Sequence, residues 1–261
     1  MKVALIQMGA GPQKLKNIQR ACALIRQAIQ KKAEFILLPE MFPFRGQPKD
    51  AWTNAEHIPG SSIKPLMELA RAHRVFILAG SVGERIKGTK KIYSTSVLIN
   101  PKGKIVAKYR KIHLFDARLG KKVIQELRVL KAGKTPVLGC VENFKVGLSI
   151  CYDLRFPVLY KEYAQKGADI LCAPSCFTKK TGQAHWEVLC RARAIENLCY
   201  VLAPDQIGKD ARGVASFGNS MIVDPWGEVL QKASLNKNEI IYADLTKTNL
   251  TQARKRLPAI H

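Results

Sequence analysis

The sequence predicts an α/β fold in which a mixed β-sheet is folded into two layers with helices outside. Apolar strand patterns alternate with helical patterns and hairpins along all 261 residues, and no long linker interrupts them. Two buried runs, residues 35–40 and 169–175, each end at a proline followed by a polar residue. Such strands deliver polar side chains to one rim of a sheet. We therefore expect a single domain over residues 1–261.

The first half of the chain predicts a sheet covered by two helices. Strands are expected at residues 3–7, 34–38 and 75–79, and a hairpin at 92–99 and 104–109. The first helical face carries Leu15, Ile18, Ala21, Cys22, Ile25, Ala28 and Ile29, and a second helix at 64–74 carries Leu66, Leu69 and Ala70. Residues 47–63 predict a loop. Because Pro39 cannot continue a central ladder, Glu40 is expected just beyond its strand.

The second half repeats the alternation. A loop at 120–133 carries Glu126, and a hairpin at 136–141 and 144–150 ends in Cys151. Further strands are expected at 169–173, 199–203 and 240–243, and a third hairpin at 219–223 and 228–231. Helices are expected after Pro157 up to Gly167, at 184–198 and at 246–257.

The composition limits the class of protein. Forty-three Lys and Arg against 20 Asp and Glu give a net charge of +23, which favours anionic partners. The basic residues are spread along the chain and form no tail, so we expect no specific nucleic-acid partner. A basic nucleic-acid-binding module or a non-catalytic scaffold is the alternative from a different class. Seven scattered cysteines and no apolar stretch near ~20 residues indicate a cytoplasmic protein without a membrane span.

Cys151 follows an apolar strand directly and precedes a helix, which is the position of a nucleophile near backbone N–H donors. Glu40 and Lys111 also follow predicted strands. A carboxylate, an ammonium and a thiol placed together can deprotonate the thiol, stabilise an oxyanion and protonate a departing amine. Taken singly, each has a plainer interpretation, as a buried structural cysteine or a solvated surface charge.

Three blocks of the chain resemble the motifs of the nitrilase (carbon–nitrogen hydrolase) superfamily, in that family's order. They are Leu37-Leu38-Pro39-Glu40, Tyr109-Arg110-Lys111-Ile112-His113-Leu114-Phe115-Asp116 and Cys151-Tyr152-Asp153-Leu154-Arg155-Phe156-Pro157. Residues 184–197 and 224–227 resemble the family too, so the resemblance covers nearly the whole chain. It implies an α-β-β-α sandwich that pairs through helices into a four-layer homodimer.

The resemblance also implies the roles of individual residues. Cys151 would be the nucleophile, Glu40 the general base, and Lys111 the cation that stabilises the tetrahedral intermediate. Glu126, ahead of Ala132-Gly133, would position Lys111 and the substrate, and the backbone N–H of Tyr152 would be a further oxyanion donor. A thioester would form and be released by water, without metal or organic cofactor.

The Arg-Phe-Pro after the cysteine and the His-Trp-Glu block resemble Nit-type amidases, which act on small amides that bear carboxylates. In that branch Arg155 would bind a substrate carboxylate, and Phe177 and Thr181 would line the same pocket. The alternative for Arg155 is a structural pair with Asp153. The motifs favour a deaminated-glutathione type of amidase over an ω-amidase acting on α-ketoglutaramate-like acids.

The chain departs from the pattern at several points. The loop between Asp116 and Glu126 is one residue shorter and carries Arg118, Lys121 and Lys122, and Asp205 stands where a small residue is common. Because the chain ends at His261, an Arg-Pro-Asp-type tail that contacts the partner subunit is not expected.

Two other chemistries remain open. One is a Cys–His hydrolase that uses His113 or His185. The other is a zinc site from Cys172, Cys176, His185 and Cys190, whose spacing fits no common zinc finger.

Overall fold

The computed structural model describes residues 1–119 and 122–259. The strands are β1 (Lys2–Gln7), β2 (Phe35–Leu37), β3 (Phe76–Leu78), β4 (Val82–Arg85), β5 (Ile92–Ile99), β6 (Ile105–Arg110), β7 (Asp116–Leu119), β8 (Lys122–Gln125), β9 (Val137–Val141), β10 (Phe144–Leu148), β11 (Ile170–Cys172), β12 (Tyr200–Ala203), β13 (Met221–Val223), β14 (Val229–Lys232) and β15 (Glu239–Asp244). The α-helices are α1 (Lys14–Gln30), α2 (Ala51–Asn54), α3 (Lys64–His73), α4 (Pro157–Gln165), α5 (Lys179–Asn197) and α6 (Lys247–Arg256). Short 3₁₀ helices lie at Pro48–Asp50, Glu126–Arg128 and Cys151–Arg155.

Two mixed sheets form the centre of the fold. In the first sheet β1, β2 and β3 are parallel, β15 pairs antiparallel with β1, and β5 lies between β6 on one edge and the successive strands β3 and β4 on the other. In the second sheet β10, β11 and β12 are parallel, flanked by antiparallel β9 on one side and β13 and β14 on the other. The prediction of a mixed two-layer arrangement is confirmed.

The alternation of side chains along the strands explains the layers. Val3 and Leu5 of β1 belong to the core cluster that includes the second sheet, whereas Ala4 and Ile6 belong to a cluster with α1 and α3. On the far side, the ring of Tyr163 in α4 packs directly over Gly147 in β10. Helices therefore cover the outer face of each sheet, which is the predicted α-β-β-α sandwich.

Several elements differ from their predicted bounds. Helix α5 begins at Lys179 rather than at residue 184, because the Thr178 hydroxyl accepts the backbone N–H of Thr181 and caps it. Residues 47–63 include α2 and a 3₁₀ turn rather than only loop. Leu15, expected on the buried face of α1, is 68% exposed because it lies in the first turn, before the buried contacts begin at Asn17.

Two β elements were not predicted. The short strand β4 pairs with β5, and β7 pairs with β8 in a separate two-stranded hairpin within the region predicted as a loop. Of the loop residues that depart from the family pattern, Arg118 lies in β7. Lys121 and the side chain of Lys122 lie outside the described residues.

Candidate active site

The ends of three strands bring Glu40, Lys111 and Cys151 together. Glu40 follows β2, Lys111 follows β6 and Cys151 follows β10, and their exposed fractions are 2%, 1% and 8%. The Lys111 ammonium donates to Glu40 Oε1 at 2.8 Å. It also donates to both carboxylate oxygens of Glu126 at 3.0 Å. A single buried cation therefore lies between two carboxylates, next to the thiol.

Close backbone contacts hold Glu40 in place. Gly80, just beyond β3, has φ +30°, and a Cβ there would lie 1.9 Å from the carbonyl oxygen of Pro39. Only glycine allows the chain to pass this close to the end of β2. The carbonyl of Glu40 accepts the side-chain amide of Gln206 at 2.8 Å, which anchors it to the region that follows β12.

Lys111 is held by its own backbone on both sides. Its N–H donates to Ser94 of β5 at 2.9 Å, and its carbonyl accepts the N–H of Gly133 at 2.8 Å. A Cβ on residue 133 would lie 2.2 Å from the carbonyl oxygen of Arg110. The predicted Ala132-Gly133 turn therefore packs directly against the strand end that carries the lysine.

Glu126 lies at the start of the 3₁₀ turn that follows β8. Its Oε2 accepts the backbone N–H of Phe115 at 2.8 Å in addition to the Lys111 ammonium. The carboxylate thus connects the segment after Lys111 to the hairpin β7–β8.

Cys151 adopts a left-handed backbone conformation, with φ +51°. Such a conformation costs a residue other than glycine about 1–3 kcal/mol and occurs often at functional sites. The Cys151 N–H donates to the carbonyl of Pro174 at 3.0 Å, and the next residues form a 3₁₀ turn. The sharp turn aims the thiol at the site, although the sulfur is more buried than a nucleophile at an open sheet edge.

The charges around the thiol explain its protonation. Burial raises the pKa of Cys151 well above its ordinary value, and the Glu40 carboxylate adds to this rise while Lys111 opposes it. Burial lowers the pKa of Lys111, but the carboxylates of Glu126 and Glu40 outweigh burial and raise it well above its ordinary value. Burial also raises the pKa of Glu126, against the effect of Lys111. At neutral pH the free site therefore holds a neutral thiol beside a permanent cation.

Two cavities meet at this cluster. The catalytic cavity, of about 70 Å³, is lined by Glu40, Arg45, Phe115, Glu126, Cys151 and Cys176, among others. The adjoining cavity, of about 150 Å³, is lined by Glu40 and Glu126 but not by Cys151. Arg212 lines both.

The residues predicted to contact substrate lie outside the catalytic cavity. The ring of Phe177 packs against Trp186 with centroids 4.8 Å apart, and Thr181 interacts with Thr178 in the first turn of α5. The prediction that Phe177 and Thr181 line the pocket is wrong, because the core and the helix cap occupy them. The Tyr152 ring packs behind Phe115 at 4.9 Å, while its backbone N–H belongs to the turn that begins at Cys151.

Arg155 does not line the catalytic cavity, and it does not pair with Asp153 either. Its guanidinium lies 3.1 Å from His185 Nδ1 and 5.7 Å from the centre of the Tyr152 ring. Asp153 instead accepts hydrogen bonds from three other residues. Both interpretations of Arg155 that the sequence suggested are therefore wrong.

The site contains functional residues that sequence reasoning missed. Arg45, fully buried, donates to the carbonyl of Ile207 at 2.9 Å and to the Ser216 hydroxyl at 2.7 Å. Arg212 is paired with Asp210, with N–O distances of 2.7 and 2.9 Å. The only early signal for Arg45 is its position five residues after Glu40.

The other chemistries considered for the sequence find no support in the geometry. His113 is bound to Asp153 at 2.7 Å and stacks on Phe156, and neither it nor His185 lines the catalytic cavity. Among residues 1–119 and 122–259, no group of three or more His, Cys, Asp or Glu side chains is arranged to hold a metal ion. Within the same residues, no helix combines the length and apolarity needed to cross a bilayer.

Asp205, the unusual residue near β12, is fully buried. It accepts the N–H groups of Phe177 at 3.0 Å and Gln206 at 2.9 Å through one oxygen, while the other has no hydrogen-bond partner among the described residues. Burial raises the pKa of this carboxyl well above its ordinary value, against the effect of those two donors. Asp205 therefore supports the backbone near Phe177 and does not line the catalytic cavity.

Residues 2–255 match the family model of carbon–nitrogen hydrolases. The chain belongs to that family, and it is an amidase-type hydrolase of carbon–nitrogen bonds. The resemblance of its motifs to the nitrilase superfamily is confirmed.

Within the family the chain is similar to two curated relatives. It is 39% identical over 258 residues to omega-amidase NIT2 of Homo sapiens, which covers 98% of this chain and 92% of the relative. It is 39% identical over 261 residues to deaminated glutathione amidase of Synechocystis sp., which covers 98% and 96%. Among solved structures, the C. elegans NitFhit protein superimposes with a TM-score of 0.92 at 36% identity over 98% of this chain, which spans 63% of that longer chain.

Proposed function

We propose that the protein hydrolyses a small linear amide that bears a carboxylate, through a thioester on Cys151. The observation that carries the proposal is the buried Glu40–Lys111–Glu126 cluster beside a neutral thiol in one cavity. No metal or organic cofactor is needed for these steps, because the chain supplies the nucleophile, the base and the cation.

Attack begins with proton transfer from the Cys151 thiol to Glu40 as the sulfur bonds to the amide carbon. The carbonyl electrons move to oxygen, where the Lys111 ammonium and the Tyr152 N–H stabilise the negative charge. Because the pKa of the thiol is raised in the free site, this deprotonation has to accompany the attack. Glu126 keeps Lys111 oriented throughout.

Collapse of the intermediate breaks the carbon–nitrogen bond, and Glu40 returns its proton to the departing nitrogen. A water molecule then attacks the thioester while Glu40 accepts one of its protons. The acid leaves, and the sulfur regains that proton from Glu40, which restores the starting state. The sequence consumes one water and needs no other reactant.

For the substrate, the similarity to a deaminated glutathione amidase and to ω-amidases supports a carboxylate-bearing amide. We favour the deaminated-glutathione type, with α-ketoglutaramate-like acids as the alternative. In place of Arg155, we assign the substrate carboxylate to Arg212, whose guanidinium lines the catalytic cavity. Arg45 is already committed to Ile207 and Ser216.

The setting of the enzyme is also part of the proposal. We expect a homodimer formed through the outer helices and a cytoplasmic location that keeps the seven cysteines reduced. The charge of +23 draws anionic substrates toward the site. Any binding to nucleic acid is expected to be sequence-independent and steeply weakened by salt.

A release assay tests the proposed function. Purified protein is incubated with a panel of short amides that includes deaminated glutathione and α-ketoglutaramate, and released ammonia and amines are measured separately. Cys151→Ala should abolish release of both while leaving the circular dichroism spectrum unchanged, because the change removes only the nucleophile. Turnover by this variant at the wild-type rate would exclude the thioester mechanism.

A further inference from the structure

The two cavities divide the site according to the chemistry of its walls. The catalytic cavity contains Cys151, so the acyl carbon and its chain must lie there. The adjoining cavity lacks Cys151 but contains Glu40, and Glu40 is the residue that protonates the departing nitrogen. The substituent on that nitrogen therefore has one built space to enter, on the Glu40 side of the cluster.

We propose that the adjoining cavity is a leaving-group subsite that binds an amine with an apolar substituent, so that the enzyme cleaves secondary amides better than primary amides. The inference rests on the proposed hydrolase mechanism and adds the chemical class of the leaving group. A primary amide releases ammonia, which needs no such space.

The volume of the adjoining cavity fits this role. At about 150 Å³ it is more than twice the volume of the catalytic cavity, and a cavity of that size with apolar walls accepts a six-carbon ligand such as benzene. Its walls include Phe44, Val82, Ile92 and Leu130. Apolar walls of this kind favour a hydrocarbon or thioether substituent over a charged one.

The polar residues of the adjoining cavity are already paired. Lys14 donates to Glu56 at 2.7 Å and to the carbonyl of Asn54 at 2.8 Å, and Glu56 also accepts both the N–H and the hydroxyl of Ser62. A neutral, apolar substituent leaves these bonds intact. Arg212, on the wall shared by the two cavities, is placed to hold the carboxylate of the acyl part.

Narrowing the adjoining cavity tests the proposal. Ala51 lies on its wall at the start of α2, in a helical conformation that any side chain can adopt. Ala51→Phe should lower kcat/KM for N-isobutyl-α-ketoglutaramate by about ten- to hundredfold, because the ring occupies the space of the isobutyl group. The same variant should leave kcat/KM for α-ketoglutaramate within about twofold, because ammonia does not use that space.

Two further variants make the test specific. Thr53→Phe adds the same ring to the same short helix at an exposed position outside the cavity wall and should change neither substrate. Val129→Phe narrows the cavity from a different segment and should reproduce the selectivity of Ala51→Phe.

The outcomes separate the subsite from the proposed function. Equal losses for both amides in Ala51→Phe and Val129→Phe, or a wild type that cleaves only the primary amide, would overturn the subsite and leave the hydrolase mechanism standing. A wild type that cleaves neither amide and forms no acyl adduct on Cys151 by intact mass would overturn the proposed function and the subsite with it.

Discussion

At the scale of single residues, Asp153 connects two of the three catalytic strand ends. One carboxylate oxygen accepts the Ile150 N–H at 2.8 Å and the Tyr109 hydroxyl at 2.7 Å, and the other accepts the His113 N–H at 3.0 Å. Burial and the neighbouring Asp153 together raise the pKa of Tyr109 well above its ordinary value, so this hydroxyl stays a donor. Asp153 thus ties the residue before Cys151 to the strand that delivers Lys111.

Replacing Asp153 should therefore cost both stability and activity. Asp153→Ala leaves three buried donors without an acceptor, and we expect a loss of about 2–4 kcal/mol in the free energy of unfolding, with a fall in kcat from the displaced thiol. Urea unfolding and steady-state kinetics measure the two effects. Asp244→Ala, at an exposed position in β15, is the control. A stability loss as small as that of the control would show that Asp153 does not organise the turn.

The catalytic residues were within reach of the sequence, but their supports were not. Glu40 and Cys151 follow apolar runs that mark strand ends, so their approach could be predicted from the alternation of elements. Asp153 was considered only as a partner for Arg155, because its donors lie 3 to 44 residues away. Arg45 reaches Ile207 and Ser216 across more than 160 residues, and no local pattern reports such a contact.

At the scale of elements, Glu84 fastens β4 to the two strands beside it. Its carboxylate accepts two hydrogen bonds from Arg110 of β6, both at 2.7 Å, and one from Thr95 of β5 at 2.8 Å. Burial by itself would raise the pKa of Glu84, but the hydrogen bonds from Arg110 and Thr95 outweigh it and lower that pKa below its ordinary value. The pair thus supports the strand end that continues into Lys111.

This shift predicts how stability depends on pH. A carboxyl with a lowered folded-state pKa contributes stability that is present above its unfolded pKa and is lost as the pH falls through the folded value. Glu84→Gln should unfold about 1–2 kcal/mol more easily at pH 7, a modest figure because Arg110 is partly exposed. The difference should shrink toward zero as the pH falls below about 4. Guanidinium unfolding measured across this pH range, with the exposed Glu68→Gln as control, checks it; a difference independent of pH would contradict it.

Most helices and strands were predictable because their apolar periodicity is strong. The exceptions have local causes. Strand β4, Val82–Arg85, has a glycine at its second position and charge at its end, which weakens the strand pattern. The start of α5 was missed because its first turn, from Lys179, is polar, and the cap at Thr178 is the only signal for it.

At the scale of the whole molecule, the outer surface of α4 and α5 carries exposed apolar side chains. Val158 is 78% exposed and Val188 67%, and Ile195 and Trp226 are also exposed. The two helices contact each other, so these side chains lie on one side of the sandwich. This is the face through which we expect the proposed homodimer to form.

Charging this face should separate the subunits. Val158→Lys combined with Val188→Lys should convert a dimer into a monomer in analytical ultracentrifugation at micromolar concentration, because two lysines of each copy would be brought together. Leu15→Lys, an equally exposed position on α1, should leave the dimer intact. A double variant that sediments like the wild type would place the interface elsewhere.

The layered architecture was predictable from alternating elements, whereas the order of strands was not. Parallel β1, β2 and β3 follow from the helices that connect them. The adjacency of β15 to β1 joins residues more than 230 positions apart. Nothing in the local pattern of either strand specifies that pairing, which tertiary packing decides.

The burial of Cys151 has a consequence for covalent chemistry on this enzyme. A neutral, enclosed thiol reacts slowly with small electrophiles, since the thiolate is the reactive form. Cys140, by contrast, is exposed on β9. General alkylating reagents should therefore label Cys140 first and leave turnover intact. A probe that resembles the substrate amide, and reaches Glu40 as the substrate does, should label Cys151 instead. Selective inhibitors of this enzyme would then depend on fit to the cavity rather than on intrinsic electrophilicity.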